Sequence, residues 1–117
     1  MNQNTDELLK YLNEISQKSL QGEIEWTHPN SSTFTWNQEG FIVSIQRATV
    51  PRLNRLLPQE SVDFLFQVLK RPVRTVVLSL SSKERPDLAP ALEGIYGSAT
   101  RGVDVRASNV LRELLRK

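Results

Sequence analysis

The 117-residue chain contains no cysteine, one histidine and one methionine, and its unbroken apolar stretches, such as Val76–Leu78, stop at three residues. Without thiols there is no disulfide framework and no thiolate metal site, so stability has to come from apolar burial and hydrogen bonding. The single histidine, His28, leaves an imidazole-based metal site or catalytic dyad with one candidate and no companion. No apolar run approaches the roughly 20 residues needed to cross a bilayer, and Met1–Asp6 lacks the basic start and apolar centre of a secretion signal. A cytoplasmic protein without a membrane partner is the expectation. Phosphate-binding signatures are missing too. Gly94, Gly97 and Gly102 do not have the spacing of a dinucleotide fingerprint or P-loop, and Ser79, Ser81 and Ser82 are not set in a G-x-S-x-G elbow.

What is present describes an ordinary globular domain. Hydrophobic residues make up 38% and charged residues 24%, well away from the composition of disordered chains, and the length suits one domain with one core. The net charge of +2 is unevenly spread: residues 1–46 hold two lysines against six acids, and residues 47–117 hold thirteen Lys and Arg against seven acids. Such asymmetry marks either a nucleic-acid face or solvated charges that disperse once the chain folds.

Asn4 followed by Glu7 reads as a helix start, with a helix over residues 5–19 whose Leu8, Leu12, Ile15 and Ser19 form one inward stripe while Lys10, Glu14 and Lys18 face water. Ile24, Trp26 and His28 alternate with polar residues, then a Pro29–Ser32 turn leads to Phe34 and Trp36. A second turn at Asn37–Gly40 precedes Phe41, Val43 and Ile45, completing a meander of three strands. Residues 48–60, bracketed by Pro51 and Pro58, read as a loop. Val62–Leu69 and Val73–Leu80 read as the most apolar strands, and aliphatic residues on both faces place them mid-sheet or under helices on both sides. Asp87 is a candidate cap for a helix lined by Leu88, Leu92, Ile95 and Ala99. Gly102 is read as a break, and Asp104 as the cap of a last helix that turns Ala107, Val110, Leu111, Leu114 and Leu115 inward. The fold class expected is α+β: an N-terminal helix, a five-stranded antiparallel meander, and two C-terminal helices packed on the sheet, in a single domain.

No catalytic residue, cofactor or metal is expected. His28 reads as a strand-end residue bonded to a backbone carbonyl, and the nearest carboxylate pairs, Glu23 with Glu25 and Glu60 with Asp63, have no spacing specific to acid–base work. Trp26, Phe34, Trp36 and Phe41 read as core packing, with an interface or the floor of a small-ligand pocket as the alternatives. The leading expectation is a non-enzymatic module that binds another protein, or itself, through Arg52, Leu53, Arg55, Leu56 and Leu57, because three leucines in a proline-bracketed loop have to be buried against the core or a partner. The alternative is nucleic-acid binding through Arg52, Arg55, Lys70, Arg71 and Arg74, with convergence in space expected only for the last three.

Overall fold

The computed structural model describes residues 3–51 and 60–116. Helix α1 (Gln3–Leu20) leads into five strands, β1 (Thr27–Asn30), β2 (Thr33–Gln38), β3 (Phe41–Pro51), β4 (Glu60–Lys70) and β5 (Thr75–Ser81). A 3-10 turn (Pro86–Leu88) and one long helix, α2 (Ala89–Leu115), complete the chain. The strands form one antiparallel sheet in chain order, β1-β2-β3-β4-β5. The fold is therefore α+β, as the patterning predicts, with one correction: the two expected C-terminal helices are a single helix of 27 residues, preceded by the 3-10 turn.

Both helices cover the same sheet face. Phe34, Val43, Ile45, Phe66 and Leu80 point into a core closed by Leu12 of α1 and by Leu88, Leu92, Ile95 and Ala99 along the 3-10 turn and α2. No described helix covers the opposite face, where the register lines up Thr35, Ser44, Gln67 and Ser79 in one polar row. A second row on that face sets Asn37 beside Ile42, Leu69 and Val76, so it is apolar at three of its four positions. The expectation that β4 and β5 lie mid-sheet or under helices on both sides therefore fails for β5. It is an edge strand, with Val76 and Val77 exposed.

Several local expectations shift for physical reasons. α1 begins at Gln3, ahead of Asn4, so Asn4 lies inside the helix. Ile24 and Trp26 are buried as expected but precede β1, which holds Pro29 and Asn30, so the reversal falls at Ser31 and Ser32. There the Asn30 side chain accepts hydrogen bonds from the backbone N–H and hydroxyl of Ser32. Residues 48–51, expected as loop, continue β3, because the β3–β4 ladder runs on to Pro51 opposite Glu60. Asp87 does not cap α2: it forms a two-point ion pair with Arg85, whose guanidinium also donates to Thr5 and so ties the 3-10 turn to the start of α1.

Gly102 does not end the helix; it lets two backbones meet. A Cβ there would lie 2.3 Å from the Ser19 carbonyl oxygen, a clash with main chain. Ser19 is fully buried, donates to the Ile15 carbonyl at 2.7 Å and accepts from Trp26 Nε1 at 2.8 Å, so the end of α1, the entry to the sheet and the middle of α2 lock together at one point. Thr5 against Arg85, Ser16 against Gly94 and Ser19 against Gly102 show that α1 and α2 run in the same sense.

Candidate interaction surface

Arg52, Leu53, Arg55, Leu56 and Leu57 lie outside the described residues. The strands that lead to them are described. Beyond the last β2 pair, Thr33 with Gln46, the β3–β4 ladder continues through five further pairs to Pro51 and Glu60 as a two-stranded ribbon projecting from the sheet.

Lys70 ends β4, and Arg71 and Arg74 lie in the exposed turn that follows it before β5. The Arg71 N–H donates to the Gly40 carbonyl at 2.8 Å, which docks this turn beside the β2–β3 turn, and exposed Phe41 pairs with Lys70 across the ladder. Arg74 adopts a left-handed conformation at φ 59, and Val73 is 79% exposed. Glu60, where the ribbon closes on the segment holding Arg52 and Arg55, lies at the other end of β4, about 30 Å from Lys70 at roughly 3.3 Å per residue. Arg47, paired with Phe64, belongs to the ribbon and not to this turn.

The remaining candidates resolve into structural roles. Trp26 and Phe34 are core residues, Trp36 packs on Trp26 with ring centroids 5.9 Å apart, and Tyr96 of α2 bridges Phe34 and Phe64. His28 is exposed and stacks on Phe34 at 4.3 Å. Ser81 and Ser82 donate their hydroxyls to the Asp63 carboxylate, and the Lys83 N–H donates to it as well. Burial pushes the Asp63 pKa upward, but the bonds from Ser82, Ser81 and Lys83, with the Lys83 charge, outweigh it and hold the group below its ordinary value. The carboxylate is thus an acceptor that fastens the end of β5 to β4. Among the described residues, no three His, Asp or Glu side chains are grouped so as to hold a metal ion, and no helix is long and apolar enough to cross a membrane.

The surface that sequence reasoning assigned to the core lies at the end of α2. Val110, Leu111, Leu114 and Leu115 are 57%, 58%, 63% and 85% exposed, and Ala107 is exposed as well. The inward orientation expected for these five residues is therefore corrected. Asp104 caps nothing, because it sits in mid-helix. The cause is geometric. Ser19 sits under Gly102, Val105 packs by Gly22 and Arg106 reaches Glu25, all at the segment joining α1 to the sheet, and the helix then runs past the domain. The molecule measures 57 × 37 × 29 Å, with a radius of gyration of 16.2 Å against about 13 Å for a compact domain of roughly 100 residues. A shallow groove open to solvent follows Val110, Glu113, Leu114 and Arg116. Comparison of the chain with protein-family models, with curated proteins and with solved structures gave no match.

Proposed function

We propose that this chain is a non-enzymatic protein-interaction module that binds a partner protein, or a second copy of itself, through the apolar stripe at the C-terminal end of α2. The observation that carries the reading is the exposure of Val110, Leu111, Leu114 and Leu115 on a helix whose first half buries Ala91, Leu92, Ile95 and Ala99. Large apolar side chains grouped on one projecting helix end are the form in which helix-recognising interfaces present their anchors. The Asp63–Ser81–Ser82 cluster supports the non-enzymatic part, since its carboxylate is already engaged by three donors and the one histidine lies elsewhere, against Phe34.

A photo-crosslinking residue at position 111, compared with one at position 93, tests the reading in cells that produce the chain. Glu93 is exposed on the packed half of α2 and serves as the control. Adducts from position 111 that position 93 does not give are expected. Equal labelling from both, or none from either, overturns the proposal.

A second reading rests on the Lys70, Arg71 and Arg74 turn with Phe41 beside it: a weak site for single-stranded nucleic acid, in which three cations meet phosphates and one ring meets a base. Three phosphate contacts give an affinity that falls with a log–log salt slope of about −2. Absence of any complex with a mixed-sequence oligonucleotide in dilute buffer eliminates it.

A further inference from the structure

Resting on the reading of the α2 stripe as an interaction surface, we infer that its occupant is the same stripe of a second copy of this chain, paired antiparallel about a two-fold axis between Ser108 and Asn109. Val103, Ala107, Val110 and Leu114 recur at spacings of four, three and four, which is the spacing of a two-stranded helical seam. Val103 is half-buried at the edge of the domain, and the other three are exposed, so the seam begins where intramolecular packing stops.

The charges beside the seam choose the orientation. Arg106 and Glu113 are seven residues apart and lie on the same flank, while Asp104 and Leu111 lie on the other. In antiparallel pairing, like flanks face each other. Arg106 then meets Glu113 of the second copy, and by symmetry Glu113 meets the second copy's Arg106, so the dimer holds two matched pairs. Parallel pairing would set Arg106 against Leu111 of the other copy and leave Glu113 unmatched. The contact of Arg106 with Glu25, at 3.6 Å and on the surface, is too long and too solvated to hold the guanidinium away. Antiparallel pairing also sends the two domains to opposite ends of the paired helices, because each domain surrounds its own helix only up to about Arg106.

Two heptads bury less than the roughly 1,200 Å² that marks the lower end of stable interfaces. The dimer is therefore concentration-dependent, and sedimentation equilibrium of the purified chain over a dilution series reads it directly. A monomer–dimer equilibrium is expected, with Leu114→Asp monomeric throughout. Arg106→Glu and Glu113→Arg should each weaken the dimer about tenfold, and the double variant R106E/E113R should recover most of the loss, since reversing both charges restores opposite pairs. Thermal melts in the dilute, monomeric regime verify that each variant is folded.

A wild-type chain that stays monomeric overturns the inference, and so does a double variant that dimerises no better than the single ones. If the purified chain is monomeric while position 111 crosslinks to a different protein in cells, self-pairing fails and the interaction reading stands. If position 111 gives no specific adduct, the reading beneath it fails as well.

Discussion

The two halves of α2 show one helix obeying two rules. In the first half, Leu92, Ile95, Ala99 and Gly102 face the sheet and α1, and the first three form part of the core. In the second half, Val103, Ala107, Val110 and Leu114 form a stripe just as regular, of which only Val103 touches the core and the other three are exposed. At 3.6 residues per turn, the second stripe is rotated by about 70° from the first. Intramolecular packing thus selects one direction around the helix up to Gly102, and the sequence then changes direction where the domain ends. A helix end present only to finish the fold would have no reason to carry a regular apolar stripe off the packed face.

Deleting the same kind of side chain from each half of α2 separates the two rules most strongly. Ile95 is fully buried, so Ile95→Ala should cost about 2–5 kcal/mol of stability from lost transfer energy plus the cavity left behind. Leu111→Ala, in the projecting half, should stay within about 0.5 kcal/mol when the protein is dilute enough to be monomeric. Urea unfolding measures both. A comparable loss at Leu111 would mean that the end of α2 is packed against its own domain, and the proposed surface would disappear.

Gly102→Ala probes the junction between the halves. In an exposed helix interior the change gains about 1 kcal/mol of helix propensity, but here the added methyl meets the Ser19 carbonyl at 2.3 Å, with main chain on both sides. Forced rearrangement of that kind costs about 1–3 kcal/mol and exceeds the gain. A stabilised Gly102→Ala protein would show that α1 and α2 are not in contact there.

This junction also explains what the sequence made legible and what it hid. The apolar stripe of α1, the succession of antiparallel strands from β2 to β5 and the burial of Trp26 follow from local periodicity, and each appears in the structure as expected. The continuity of α2 was hidden because a glycine at a change of stripe direction looks the same as a helix terminus; only the position of Ser19, contributed by another helix, distinguishes close approach from termination. Strand order told nothing about which faces are covered, so the apolar run of β5 read as buried when it lies at an edge. The candidate surface on α2 carried its own signal, a stripe displaced from the one before it, which becomes readable once the two are measured on one continuous helix.

Asp63 supplies an acid-sensitive comparison between the fastened end of β5 and the free end of α2. Its pKa is lowered in the folded state, so its contribution to stability is fully present above its unfolded-state value of about 4 and is lost as pH falls through the lower folded value. Asp63→Asn should therefore lower stability near neutrality, and should flatten the acid limb of the stability curve below about pH 4. The proposed dimer seam should not respond to this substitution, because Asp63 binds Ser81, Ser82 and Lys83, none of which belongs to α2.

The smallest effect expected is a gain. Gly97 lies on the exposed side of α2, and a Cβ built there meets no atom within 4 Å, so Gly97→Ala adds helix propensity with no steric cost. The stabilisation should reach at most about 1 kcal/mol, opposite in sign to Gly102→Ala only five residues along the same helix. Its further value lies in the projecting end. Helix formation is cooperative, so stiffening a turn inside the packed half should lower fraying of the turns that follow and raise hydrogen-exchange protection at residues 107–114. If protection rises only around position 97, the packed and projecting halves are mechanically separate, and the stripe forms on its own propensity and on whatever it binds.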